Sequence, residues 1–312
     1  MKTLGIGEII NKTYEVCFYI GEGAFGEVYR VRHKFFNELQ VLKVFKKEIV
    51  QNISLDQVIN EGKILAKLNH PNVVRVFEIN SFTKNDIVYY FITMSFISGE
   101  SLSQLIKRKI QLDMPVAISI ILDALKGLNA AHKNNPPIIH RDINPDNILL
   151  SYDNIKPKGI LGDFGISSFL EINKKMVGAG GRYMYFAPEC FMDIYLPSSD
   201  VFSMGLVLYK SLTGVHPWEY NINVLQSDKQ EEILGMVNKI RKATPKSSRF
   251  YNSTISPKLD AIIMKAIEKN INERFRNAQS FIDSLKELDI TNNISTKYWK
   301  EAKIFNNEVC HG

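Results

Sequence analysis

The chain has 312 residues, 45% hydrophobic and 23% charged, with a formal net charge of +6. That composition is ordinary for a globular protein able to bury a large core, and it excludes disordered, collagenous and disulfide-built classes. The positive charge is spread along the chain rather than blocked, which favours a solvated basic surface over nucleic-acid binding.

No run approaches the about eighteen apolar residues of a membrane span, so no membrane insertion is expected. The opening residues Met1-Lys2-Thr3-Leu4-Gly5-Ile6-Gly7-Glu8 lack a signal peptide's apolar run. The cysteines, Cys17, Cys190 and Cys310, are far apart and have no metal-ligand spacing. A reduced, cytoplasmic setting is the expectation.

Taken in order, Tyr14–Ile20, Gly21–Tyr29 and Gln40–Phe45 read as strands, with β-branched and aromatic enrichment in support. The second of them opens on Gly21-Glu22-Gly23-Ala24-Phe25-Gly26, a G-x-G-x-x-G pattern. In a dinucleotide fold this pattern opens a helix; here Val28-Tyr29-Arg30-Val31 continues as strand, which selects a hairpin whose glycines bring backbone N–H groups close to phosphates. Lys43 sits mid-strand between apolar neighbours and would be costly there without a partner. Residues 55–67 have helical period and carry Glu61 on the way to Asn69-His70-Pro71-Asn72.

Ile87–Met94 is another strand, and Ser95-Phe96-Ile97-Ser98-Gly99 breaks the pattern before a helix whose N-cap is Ser101. Residues 115–132 form a long apolar helix, the scaffold that leads to His140-Arg141-Asp142-Ile143-Asn144-Pro145-Asp146-Asn147. Asp163-Phe164-Gly165 follows, then Ala187-Pro188-Glu189. Asp200 opens an apolar helix that Gly214 closes, and 227–243 and 256–288 are amphipathic helices. One carboxylate beside a cation and a second after an apolar stretch suit phosphoryl transfer: one receives a hydroxyl proton and the other holds metal.

These motifs fit H-R-D-x-x-x-x-N, D-F-G and A-P-E in order, and the chain resembles eukaryotic-type (Hanks-type) protein serine/threonine kinases. The resemblance implies an α+β, bilobal fold with one domain over 14–289. It would have a small β-rich N-lobe (about 14–94) with one αC helix, a hinge (about 95–99) and a larger, mostly helical C-lobe (about 100–289). A short tail, 290–312, would follow; Trp299 there is a core-packing residue or part of a docking peptide for a partner.

The resemblance also implies roles. Asp142 would accept the proton of a protein substrate's hydroxyl, Asn147 and Asp163 would hold Mg²⁺ or Mn²⁺, and Lys43, paired with Glu61, would orient the ATP phosphates. The hairpin contacts to ATP would come from Ile20, Gly21, Gly23, Phe25, Gly26 and Val28. Val41, Met94 at the gatekeeper position, the backbone of Ser95 and Ile97, and Leu149 would enclose the adenine. His140 would stack under Phe164 and Leu65 rather than do acid–base work, Glu189 would pair with Arg274, and Asp200 would accept catalytic-loop N–H groups.

Two positions depart from the family pattern. Asn144 stands where Lys is usual, and Arg182 where the segment before Ala187 usually has Thr. An active enzyme must replace that missing cation, and Arg182 is the candidate to supply it. Serine/threonine specificity is favoured because the catalytic loop lacks the Arg of tyrosine kinases and Tyr185 stands where those enzymes usually have Trp. An ATP-binding pseudokinase acting as scaffold or switch, and a kinase for a small molecule, are the competing readings.

Residues 166–186 contain no Thr, and Ser167 and Ser168 lie close to Asp163. Activity is therefore expected without activation-segment phosphorylation. Phosphatase treatment should leave phosphoryl transfer unchanged; loss of activity together with loss of a phosphate between Gly165 and Ala187 by mass spectrometry would contradict this.

Overall fold

The structure, a computed structural model, describes residues 2–23, 26–46, 67–152, 156–164, 182–220 and 230–288. Phe25, Glu61 and all but the last residue of the helix expected at 55–67, Gly165, and the chain from 289 onward lie outside the described residues. The described chain divides into two units, one holding residues to His70 and Val74–Phe96, the other Pro71–Val73 and the residues from Ile97 onward.

The first unit is a six-stranded antiparallel sheet. Its strands are β1 (Ile9–Ile10), β2 (Tyr14–Gly23), β3 (Gly26–His33), β4 (Glu38–Phe45), β5 (Val76–Lys84) and β6 (Ile87–Ser95), in the order β1-β2-β3-β4-β6-β5. Strand β5 was not expected; its Glu78, Asn80 and Ser81 dilute the β-branched and aromatic enrichment that marks the other strands. Because side chains alternate across a strand, the sheet has two distinct faces. On one, Tyr14, Val16, Tyr29, Val31, Leu42, Val44, Phe82 and Phe91 form a buried core that Leu4 and Ile10 complete. Each such side chain removed from water contributes about 1.5–3 kcal/mol.

In the second unit β7 (Gly99–Ser101), β8 (Ile148–Ser151) and β9 (Lys158–Leu161) form a small antiparallel sheet. Helix α1 (Leu102–Lys109) starts at a reciprocal cap: Gln104 N–H donates to Ser101 Oγ at 3.2 Å and Ser101 N–H to Gln104 Oε1 at 2.8 Å. Helix α2 (Met114–His132) is buried along Val116, Ile120, Leu125 and Leu128. Its approach to β9 requires glycine, since a Cβ on Gly159 would lie 2.5 Å from Ile120 O. Among the described residues α2 is also the one helix long and apolar enough to cross a bilayer; Asp123 and Lys126 break its run, and most of it is buried in this core.

The remaining helices are α3 (Pro197–Thr213), α4 (Gln230–Ile240), α5 (Ser248–Tyr251), α6 (Pro257–Ala266) and α7 (Ala278–Lys286). Gly214, at φ 76, closes α3 in a left-handed turn that a side chain would strain.

An ion pair ties these elements to the Ala187-Pro188-Glu189 segment. Arg274 donates to both Glu189 oxygens, at 2.7 and 3.3 Å, to Ser198 O at 3.0 Å and to Glu268 O at 2.8 Å, while Ser199 Oγ donates to Glu189 Oε1 at 2.7 Å. Burial pushes the Glu189 carboxyl up, but the Arg274 bond and charge with the Ser199 hydroxyl outweigh it, and its pKa falls below the usual 4.5. Arg274→Ala leaves a buried, unpaired carboxylate and should cost about 3–5 kcal/mol in urea unfolding. Because the folded value is the lower one, the pair's contribution is complete above pH 4.5 and is lost as pH falls through the folded value. Glu189→Gln should remove that acid limb from the wild-type stability profile.

Candidate active site

The catalytic loop runs from His140 to Asn147, anchored from below by one carboxylate. Asp200, in the first turn of α3 and 2% exposed, accepts His140 N–H at 2.8 Å, Arg141 N–H at 3.0 Å and His132 Nε2–H at 2.9 Å. These bonds hold Arg141 at φ 66, a conformation that a non-glycine residue adopts only when its surroundings dictate it. Asp163 is likewise left-handed, at φ 53. The Arg141 guanidinium lies over the Tyr195 ring, 4.8 Å from its centroid.

His140 is fully buried, its ring 4.5 Å from that of Phe164. Its Nδ1 accepts Asp142 N–H at 3.3 Å and its Nε2 stands 2.9 Å from Gly162 O, which can only accept. The proton therefore sits on Nε2, and the imidazole ties the catalytic loop to the residue before Asp163. Leu65, expected on the same ring, lies outside the described residues.

The Asp142 carboxylate is the point on which the loop converges. Asn144 Nδ2 donates to Oδ1 at 3.0 Å, Asn147 Nδ2 donates to Oδ2 at 2.7 Å, and the Arg182 guanidinium also donates to Oδ2. Asn144 Oδ1 in turn accepts Asp146 N–H at 2.9 Å and caps the single 3₁₀ turn Pro145–Asn147. Burial pushes the Asp142 carboxyl up; the Arg182 charge and the Asn147 bond pull it down, the Asp163 charge pushes the same way as burial, and the net is upward.

Asn144 and Arg182 thus both touch Asp142. Asn144 does so as a neutral donor, and the cation at the carboxylate comes from Arg182, 40 positions away in the chain. The remaining residues group within each unit. Residues paired directly across strands share a face, and the register Val28↔Lys43, Val41↔Met94 and Lys43↔Ile92 puts Val28, Val41, Lys43 and Met94 together, opposite the buried aromatic core. Gly21 pairs with Val28 at a bulge beyond Tyr19, and Ile20 in that bulge is 48% exposed. Lys43 is buried at 4% exposure; its expected partner Glu61 lies outside the described residues. In the second unit Leu149 lies on β8, paired with Ser101 and Ile160.

The donor set fits a hard divalent cation. Asn147 spends its amide nitrogen on Asp142, at 2.7 Å to both the backbone and the Oδ2 oxygen, and so presents its amide oxygen as a ligand. With the Asp163 carboxylate this is an all-oxygen set, the donor type that hard divalent cations take. Two residues of the site had no sequence signal, His132 beneath Asp200 and Tyr195 beneath Arg141. No spacing rule connects either to the loop it supports.

The chain matches the protein kinase domain family over residues 14–285. It is 33% identical over 298 residues to a probable serine/threonine-protein kinase of Clostridium perfringens, covering 93% of this chain and 40% of that protein. It is 28% identical to the serine/threonine-protein kinase Pkn3 of Myxococcus xanthus, covering 93% and 53%. The crystal structure of a double mutant of the PknI kinase domain from Mycobacterium tuberculosis superposes with a TM-score of 0.69 at 21% identity, over 91% of this chain and 98% of that one, a likeness of fold. The chain belongs to the protein kinase family. It spans about half or less of the length of these two relatives.

Asp200→Ala would leave two backbone N–H groups and the His132 ring without their buried acceptor. At about 1–3 kcal/mol for each unsatisfied donor, a loss of at least about 3 kcal/mol is expected in urea unfolding. Asp200→Asn, which keeps one acceptor oxygen, should fall between that variant and wild type.

Proposed function

We propose that this protein transfers the γ-phosphate of ATP to serine or threonine hydroxyls of protein substrates, with residues 14–289 as one catalytic domain in a cytoplasmic setting. The observation that carries the reading is the Asp142 carboxylate, oriented by Asn144 and Asn147 and joined to a guanidinium at the centre of a loop anchored by Asp200. A scaffold needs no such convergence on one proton acceptor.

In the proposed reaction the substrate hydroxyl gives its proton to Asp142 while its oxygen bonds to the γ-phosphorus, and the bridging oxygen leaves with ADP. Burial favours that step, because a carboxylate with a raised pKa is a stronger proton acceptor. Lys43, oriented by Glu61, is assigned to the α- and β-phosphates. The glycines of the β2–β3 hairpin are assigned to the phosphates through their backbone. Val28, Val41, Met94 and Leu149, with the backbone of Ser95 and Ile97, are assigned to the adenine. Asn147 and Asp163 would hold the divalent cation, Mg²⁺ in this proposal with Mn²⁺ as the substitute, which when bound supplies positive charge to the phosphate oxygens. Asn144, Pro145 and Asp146, at the positions where tyrosine kinases carry an Arg, favour serine and threonine over tyrosine.

Arg182 takes the role of the missing Lys. Its guanidinium is always charged and has forked donors suited to a phosphoryl oxygen, while Asn144 keeps the orienting bond to Asp142 without the charge.

The test is incorporation of radiolabelled phosphate from ATP into casein, with wild type beside Asp142→Ala and Asp163→Ala, both of which should be silent. Arg182→Ala should lower kcat by roughly 10²-fold, the scale of losing one transition-state charge contact. Adding Asn144→Lys should restore most of that loss in a double-mutant cycle. A wild-type protein that binds ATP and transfers nothing would instead favour the scaffold reading. An Arg182→Ala variant altered only in KM for the protein substrate would end the charge-relocation idea.

A further inference from the structure

Residues 2–13 precede the family match, yet they are integrated into the first unit. Leu4 and Ile10, each 3% exposed, fill the core on the face of the sheet opposite Lys43. Glu8 O accepts Val16 N–H at 2.9 Å and Gly7 N–H donates to Val16 O at 2.8 Å, which extends the pairing of β1 on β2. Lys84, near the end of β5, donates to Thr3 O at 2.9 Å and to Glu8 Oε2 at 2.7 Å, closing the segment from the far edge of the sheet.

The tip of this segment touches both arms of the glycine-rich hairpin. On the β2 arm, Lys2 Nζ sits 4.0 Å from the centroid of the Tyr19 ring, two residues before Gly21. On the β3 arm, Thr3 N–H donates to Glu27 Oε2 at 2.9 Å and Leu4 N–H donates to Tyr29 OH at 3.1 Å. Tyr29 OH in turn donates to Glu27 Oε2, so one carboxylate, next to Gly26, gathers a backbone amide and a phenol. Tyr19 and Tyr29 pack edge to face, centroids 5.3 Å apart, and link the two arms beneath the contact. Burial and the hydrogen bond to Glu27 push the Tyr29 phenol well above its ordinary range, so it remains a donor to Glu27 at every working pH.

We propose that residues 2–8 are a brace on the glycine-rich hairpin, and that Glu27 and Tyr29 are positioning residues that set affinity for ATP without touching it. A two-stranded hairpin holding glycines has many conformations to lose when it closes on phosphates, and holding both arms in advance removes part of that entropy from the binding step. This rests on the ATP-dependent reading above, but the brace itself has a signature independent of nucleotide.

The test uses the full chain. Tyr29→Phe removes the hydroxyl and leaves the ring; Glu27→Ala removes the acceptor, and Glu27→Gln keeps one. Tyr29→Phe and Glu27→Ala should weaken ATP·Mg²⁺ binding by calorimetry ~5- to 10-fold, with kcat for casein at saturating ATP within ~2-fold of wild type, the split that separates ground-state binding from the chemical step. Glu27→Gln should retain most of the affinity. In the absence of ATP, amides of Gly21–Gly23 and Gly26–Val28 should exchange hydrogen faster in both weakened variants, by more than the accompanying fall in the unfolding midpoint accounts for. Should Tyr29→Phe prove too unstable to measure, Lys2→Ala tests the same brace from an exposed position. Unchanged exchange at the hairpin, or affinity and kcat falling in proportion to lost stability, would overturn the proposal. Faster exchange in a protein whose wild type does not bind ATP would leave the brace standing and reject the nucleotide reading instead.

Discussion

The buried carboxylate of Asp200 is the constraint on which the catalytic loop depends. Backbone N–H groups inside a protein must find acceptors, and a loop that turns through a left-handed residue, as this one does at Arg141, cannot supply them from its own regular structure. Asp200 accepts two of them and the His132 ring as well, which joins the end of α2, the start of α3 and the loop at one point. With His140 bonded to Gly162 O, the same anchor extends to the residue before Asp163. Asp142 and the residue before Asp163, far apart in sequence, are thus tied to one buried carboxylate.

At Asp142 the chain meets an electrostatic cost. A buried carboxylate is costly, and here two side-chain amides and one guanidinium offset that cost. Asn144 is one of those amides, and it also caps the following 3₁₀ turn, so it contributes local geometry. The charge arrives from the segment before Ala187. Coupling the charge at Asp142 to that segment makes its placement depend on a part of the chain whose far end is held by the Glu189–Arg274 pair.

The sheet of the first unit separates two tasks by face. Val28, Val41, Lys43 and Met94 share one face through the register of β3, β4 and β6. The opposite face carries the aromatic core, sealed by Leu4 and Ile10 from a segment that precedes the family match. The contacts of Thr3 and Leu4 with Glu27 and Tyr29 show that the sealing face also reaches the arms of the hairpin.

Local chemistry made much of this legible from the amino-acid order alone. β-Branched and aromatic enrichment revealed β2, β3, β4 and β6, a Ser101 cap and a long apolar stretch revealed α1 and α2, and short motifs named Asp142, Asn147 and Asp163, because each signal is carried by residues close together in the chain. Strand β5 and the small β7-β8-β9 sheet escaped: their residues are too polar or too few for periodicity to show, and only pairing with neighbours makes them strands. The contact between Arg182 and Asp142, the support of Arg141 by Tyr195 and of Asp200 by His132, and the hold of Thr3 on Glu27 all join distant residues. Sequence could nominate Arg182 as a cation in search of a place, since a guanidinium and a missing lysine are both visible in the letters. Where that guanidinium points is set by the packing of the Tyr183–Tyr185 turn against α3 and α4, and such packing exists only once the chain has folded.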